Sequence, residues 1–269
     1  MTVHPLQQLR RGKSIFRRLV GKPAREFYLY LPTTLQENAT IIVAVHGISM
    51  NAAEHMVKLR QLAEDKGAVI IAPYFSKRRY PRYQQLEDPK TGKRADLALI
   101  EIVESVCTQF GLKRQKFTLI GYSGGAQFAH RFAFYHADRV MACISCAAGW
   151  YTYPNFQETY PLGLSPNTGP AGMSVHPDWR NVRHHVIVGS IDTAIEPSLN
   201  MKPEIVAQQG TGRLERAQRW VEAMNNVVIT EVGLPVEYSE IAGMGHDFTD
   251  AYDNFRVDRI ISQSTVFKK

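Results

Sequence analysis

Short apolar runs alternate with helix-length amphipathic stretches along this chain, and that alternation predicts a mostly parallel sheet with helices on both faces. Strands are expected at residues 26–31, 40–45, 68–72, 116–120, 140–146, 185–188 and 235–241. Helices are expected at 52–65, 95–110, 214–224 and from about 250 to 262. In the second of these, Leu97, Ile100 and Val103 give an apolar side while Glu101 and Glu104 give an acidic one, and Gly111 supplies the stop. The stretch 150–181 breaks the pattern. It holds Trp150, Tyr151, Tyr153, Phe156, Tyr160 and Trp179 among five prolines and three glycines, too many for long regular elements. A segment of this kind reads as a lid or pocket wall, with a packed structural excursion as the alternative.

The 269 residues suit one large α/β domain, read as residues 25–269 behind a basic extension of residues 1–24. Hydrophobic residues make up 44% and charged residues 21%, enough to bury a core. No apolar run approaches bilayer length, and residues 1–20 lack the hydrophobic block of a secretory signal, so a cytoplasmic location is expected. Pro5, Gly12 and Gly21 interrupt any long amphipathic helix of the transit-peptide type.

A net charge of +7 raises the question of nucleic acid. The charge concentrates in Arg10, Arg11, Lys13, Arg17, Arg18, Lys22 and Arg25, and again in Lys77, Arg78, Arg79 and Arg82. No helix-turn-helix, zinc-finger or RNA-binding signature accompanies it, so no nucleic-acid partner is expected; a solvated basic face or attraction to an anion remains. Three cysteines argue against a disulfide framework. Cys143 and Cys146 sit three apart on an expected strand and so face opposite ways, while Cys107 falls on the apolar side of a helix. Adjacent His184 and His185, with Asp178 nearby, are read as strand residues facing opposite ways, so no metal and no cofactor are expected.

Chemistry enters at Gly121-Tyr122-Ser123-Gly124-Gly125, which follows the run Phe117-Thr118-Leu119-Ile120 and leads into a helix-compatible segment. A serine flanked by glycines between strand and helix is a nucleophile elbow, a turn so sharp that small residues must surround the nucleophile. A serine hydroxyl needs a base, and the base needs an orienting carboxylate. Asp192 follows the expected strand 185–188, and His246 follows the last one within Gly243-Met244-Gly245-His246. Asp247 is the competing acid, read as a helix-start residue because it adjoins His246. The N–H donors for an oxyanion are expected from Gly124 and from Ile48, in the loop His46-Gly47-Ile48. His46 itself is read as a structural histidine.

The set Val45-His46-Gly47, Gly121-Tyr122-Ser123-Gly124-Gly125, Gly189-Ser190-Ile191-Asp192 and Gly243-Met244-Gly245-His246 resembles the α/β-hydrolase superfamily, with the match spread from about residue 25 to 263. Within it the chain is similar to the branch of polyhydroxybutyrate depolymerases, feruloyl and acetyl-xylan esterases and related small carboxylesterases. The resemblance implies the doubly wound sheet and gives the triad roles to Ser123, Asp192 and His246 and the oxyanion roles to Ile48 and Gly124. A serine esterase acting on a small-molecule ester is the expectation, with Tyr122, Trp150 and Tyr151 expected to bind substrate. The rivals are a serine peptidase or amidase on the same fold, and a non-catalytic binding protein on a hydrolase scaffold. The latter would be marked by a damaged triad, and all three residues are present.

Overall fold

The computed structural model describes residues 11–21, 23–113, 116–230 and 234–267. Arg10 and Lys22 of the basic cluster lie outside them. In chain order the strands are β1 (Ser14–Leu19), β2 (Arg25–Tyr30), β3 (Ile41–Val45), β4 (Val69–Pro73), the short hairpin β5 (Glu87–Asp88) and β6 (Lys93–Arg94), then β7 (Phe117–Tyr122), β8 (Val140–Cys146), β9 (Arg183–Gly189) and β10 (Glu237–Ile241). The helices are α1 (Ala52–Lys58), α2 (Arg60–Lys66), α3 (Ala95–Phe110), α4 (Gly124–Tyr135), α5 (Pro203–Gln209), α6 (Arg213–Thr230), α7 (Phe248–Asp253) and α8 (Val257–Gln263). None of them is long and apolar enough to cross a membrane.

Eight strands form one sheet in the order β1-β2-β4-β3-β7-β8-β9-β10. Pairing is antiparallel from β1 to β2 and from β2 to β4, and parallel at every later step. The chain leaves β3 toward β4 on one side and returns to place β7 on the other. The strand order therefore reverses between β3 and β7, and in open α/β sheets a crevice opens beyond the carboxyl ends of the strands at that point.

The central strands are buried on both faces, which is why they read as continuous apolar runs. Ile41, Val43 and Val45 of β3 point into one core with α3, α4 and α6, whereas Ile42 and Ala44 point into the other with α1, α2, α7 and α8. Cys143 lies in the first core and Cys146 in the second, both as free buried thiols, as strand alternation requires. On α3 the buried stripe runs through Leu99, Ile102, Val103 and Val106, while Leu97, expected on the apolar side, is 43% exposed.

Three features depart from the expectations. Residues 14–19, taken as part of an extension, form the edge strand β1; none of its positions is fully buried, so it carries little hydrophobic signal, and Arg17 and Arg18 keep the open edge charged. The helices expected at 52–65 and 250–262 each divide in two, at Leu59 and at Arg256, the latter in the left-handed region with φ 51°. Stretch 150–181 is the packed excursion rather than a lid. Trp179 meets Phe134 edge-on with ring centroids 5.3 Å apart, Tyr160 meets Tyr135 at 5.5 Å, and Tyr151 stacks on Trp220 of α6 at 4.9 Å.

Gly111 closes α3 with φ 63°, and a Cβ added there meets nothing within 4 Å, so backbone conformation alone requires the glycine. Gly111→Ala is expected to cost about 1–2 kcal/mol, read as a lower midpoint in chemical denaturation with an unchanged slope. A neutral result would mean that this helix end relaxes out of the left-handed region.

Candidate active site

The crevice beyond β3 and β7 is where the expected residues meet. Ser123 stands between the last residue of β7 and the first of α4 with φ 53° and ψ −112°, a conformation that non-glycine residues adopt only under constraint. The constraint is steric. A Cβ on Gly121 would strike the Gly125 carbonyl, and one on Gly125 would strike the Val45 carbonyl and come within 2.7 Å of the His46 oxygen. The first turn of α4 thus lies directly on the ends of β7 and β3. The Ser123 N–H donates to the Cys146 carbonyl at 2.8 Å, tying the elbow to β8 as well.

Two loops bring partners to this serine. His246 Nε2 lies 3.1 Å from Ser123 Oγ, and His246 Nδ1 lies 2.9 Å from Asp192 Oδ2. The imidazole loop is held from below, because the Tyr122 hydroxyl donates to the His246 carbonyl at 3.1 Å. Asp247 turns away: its carboxylate accepts the Asp250 N–H at 2.7 Å and caps α7. Asp192 is 2% exposed, and its second oxygen accepts from Arg213 at 3.2 Å. Arg213, equally buried at the start of α6, reaches Glu196 with its other arm at 3.1 Å. The Leu214 N–H also donates to the Asp192 carbonyl, so the N-terminus of α6 grips this loop by both side chain and backbone. Arg213 was not singled out from the sequence, where nothing links it to a residue 21 positions earlier.

The third loop, after β3, carries Ile48. A Cβ on Gly124 would lie 3.3 Å from the Ile48 nitrogen, so the Ile48 and Gly124 N–H groups are neighbours beside Ser123, and neither donates a hydrogen bond among the described residues. His46 holds this loop from inside the protein. Its Nδ1 is 2.7 Å from the Gly47 carbonyl and its Nε2 accepts the Phe75 N–H at 2.9 Å, which fixes the neutral tautomer with the proton on Nδ1. Burial pushes its pKa down to about 4, against the smaller opposing effect of the backbone hydrogen bond. The Tyr83 hydroxyl donates to the His46 carbonyl at 2.9 Å.

A cavity of about 480 Å³ opens over Ser123 and His246. Ile48, Tyr122 and Phe248 give it apolar walls, and Ser49, Asn51 and Ser198 give it polar ones. Trp150 and Tyr151, expected to contact substrate, do not line it. Trp150 lies under the Arg131 guanidinium, 4.1 Å from its ring centroid, and the fully buried Tyr151 receives a hydrogen-bond acceptor for its N–H from Gln209 at 2.8 Å. Both pack inward, because an aromatic just past a strand end finds more apolar surface beneath the sheet edge than in an open cavity. Tyr122 does line the cavity, with its hydroxyl committed to the histidine loop.

The fold is that of the α/β-hydrolases. Poly(aspartic acid) hydrolase-1 from Sphingomonas sp. KT-1 superposes with a TM-score of 0.78 at 20% identity, covering 93% of this chain and 99% of its own. A poly(3-hydroxybutyrate) depolymerase from Bordetella parapertussis gives 0.75 at 19% identity, covering 93% and 88%. A fluorophosphonate-binding serine hydrolase of Staphylococcus aureus gives 0.61 at 13% identity, covering 94% and 98%. No protein-family model and no curated protein matches the sequence.

Three other buried histidines share the fate of His46. Burial lowers His184 to about 4 and holds His55 and His130 well below the ordinary value. In the unfolded chain each titrates near its ordinary value of about 6.5, so as pH falls the unfolded chain takes up protons first. Stability present above pH 6.5 should therefore be lost progressively toward pH 4, by an amount on the order of 2–3 kcal/mol for His46 alone. Denaturation midpoints measured across this range should fall, and His46→Gln should flatten the slope; an unchanged slope would place the proton uptake elsewhere.

Proposed function

We propose that this protein is a carboxylic ester hydrolase that works through a Ser-His-Asp triad and an acyl-enzyme intermediate. The observation that carries the reading is the continuous hydrogen-bonded chain from Ser123 through His246 to the buried Asp192, ending beside two undonated backbone N–H groups. In the first step His246 Nε2 takes the Ser123 proton as Oγ adds to the ester carbonyl. The Ile48 and Gly124 N–H groups receive the negative charge that develops on the carbonyl oxygen. The imidazolium is stabilised by Asp192, and it protonates the departing alcohol as the tetrahedral intermediate collapses to the acyl-enzyme. Water then enters, loses a proton to the same Nε2 and releases the acid, returning the proton to Ser123.

Arg213 adds a constraint to this scheme. By occupying one carboxylate oxygen of Asp192 it leaves the other for His246, which fixes the carboxylate's rotation and with it the imidazole plane. The cavity size and its apolar walls suit a short acyl or small aryl ester. Cys143 and Cys146, both buried thiols, fit a reducing compartment, and we extend the reading to a cytoplasmic enzyme.

Ser123→Ala deletes one small hydroxyl, so the fold should persist while turnover of p-nitrophenyl acetate falls by at least about 10⁴-fold; near wild-type turnover would end the proposal. A fluorophosphonate probe should label Ser123, and failure to label folded protein would favour a non-catalytic binder. Asp192→Asn should cost far more activity than Asp247→Asn, with the reverse ranking moving the acid to Asp247. Across p-nitrophenyl esters of rising chain length, activity should peak among the shortest acids. Faster cleavage of aryl amides than of the matched esters would shift the reading to an amidase.

A further inference from the structure

A second and larger cleft, about 890 Å³ in volume, lies away from Ser123, between the strand β1, the 78–80 turn and the first half of α3. It shares no lining residue with the Ser123 cavity. Six cationic side chains face it: Arg18, Arg25, Arg78, Arg79, Lys93 and Arg94. The carboxylates that reach them are fewer. Glu26 serves both Arg18 and Arg79, Glu101 serves Arg25, and Asp96 serves Arg94. Arg78 and Lys93 have no carboxylate partner among the described residues, and Lys93 instead donates to the Arg78 carbonyl at 3.3 Å.

A solvated basic face would account for the exposed charges but not for the wall of this cleft. Tyr80 lines it at 3% exposure, and its hydroxyl is sealed from solvent without any hydrogen-bond partner. Nε of Arg25 is sealed and unpartnered in the same wall. Buried donors left unmatched are costly, and these two lie in the wall of a cleft with an excess of positive charge, where a small shift of the Tyr80 and Arg25 side chains would bring a ligand acceptor to them.

We propose that this cleft is a binding site for a small multivalent oxyanion, a ligand carrying two or more phosphate or carboxylate groups. Five of the six cations are arginines, whose planar forks match either oxyanion with paired hydrogen bonds. The cations are spread over three separate segments of chain, so a single charge would satisfy only one side of the cleft, whereas a ligand with two or more groups spans it. The concave wall favours a compact ligand over a long polyanion, which needs an open groove and exposed rings for stacking. Tyr80 itself is packed edge-on against Phe75, 5.3 Å away.

The test is isothermal titration calorimetry on the full chain with tripolyphosphate and, separately, with citrate, at physiological ionic strength. One-to-one saturable binding of at least one is expected, and the tighter of the two identifies the ligand group. Paired Arg78→Ala and Lys93→Ala substitution should weaken binding by at least about tenfold, as loss of charge-assisted hydrogen bonds implies. Tyr80→Phe keeps the ring and removes only the hydroxyl, so it should preserve the fold and still weaken binding severalfold. The proposal is overturned if neither anion binds at millimolar concentration, or if binding is indifferent to both sets of substitutions. A short single-stranded oligonucleotide that binds more tightly than tripolyphosphate would also overturn it, in favour of a nucleic-acid surface.

Discussion

The close approach of the first turn of α4 to the backbone of β3 is the contact on which the site depends. Because Gly125 has no Cβ, its backbone can lie against the Val45 carbonyl, and because Gly121 has none, Gly125 can in turn lie against it. Those two contacts fix where α4 begins and leave Ser123 no relaxed conformation in the turn, which accounts for its φ of 53°. They also bring the Ile48 loop within van der Waals reach of Gly124. Any side chain at either glycine would push α4 outward, separating the serine from the loop after β3 in one motion. Backbone strain at Ser123 and the pairing of the two N–H groups therefore have one cause.

Three loops that carry the remaining groups are held by polar contacts buried beneath the site rather than by contacts within it. His46, with no exposure, bonds one way to its own loop and the other way to Phe75, while Tyr83 closes on the His46 carbonyl. Tyr122 fixes the His246 loop and Arg213 the Asp192 loop. Each holder is a long side chain already locked by packing, so the atoms that face the cavity have their positions set from behind. Neutrality of His46 matters in this arrangement, because the protonated form would need a donor-free neighbour where the Phe75 N–H now points.

The fold and the three-residue relay were legible in the sequence for a physical reason. Fully buried parallel strands produce unbroken apolar runs, and all six parallel strands of the sheet fall within two residues of the predicted bounds at either end. Ser123 and Asp192 each follow such a strand, whereas His246 follows the edge strand β10, which has no fully buried position, and was located by the glycines of Gly243-Met244-Gly245 and the helix after it. What failed has equally definite causes. The edge strand β1 exposes half its positions and so shows no run, and α5, at seven residues, is too short for its periodicity to register. Arg213, Tyr83 and Phe75 act through tertiary contacts across 21 to 37 positions, with no local signature to announce them.

The aromatic stretch 150–181 shows why composition misleads about a lid. Arg131 of α4 is wholly buried, with its Nε donating to Thr152 at 2.9 Å, a second nitrogen donating to the Gln84 carbonyl at 2.8 Å, and its face over Trp150. Burial lowers its pKa to about 10, still far enough above neutrality to keep the charge. Arg216 of α6, equally buried, donates to the carbonyls of Gly149 and Gly210. Two sealed guanidinium groups held by carbonyls and a hydroxyl need an aromatic face and ordered backbone around them, since a mobile segment would leave the charge unsatisfied. Trp150 and its neighbours supply that surrounding. The aromatics are thus spent on burying charge between α4 and α6, which anchors the helix whose first residue grips Asp192, and the segment contributes to the site by rigidity at a distance rather than by contact.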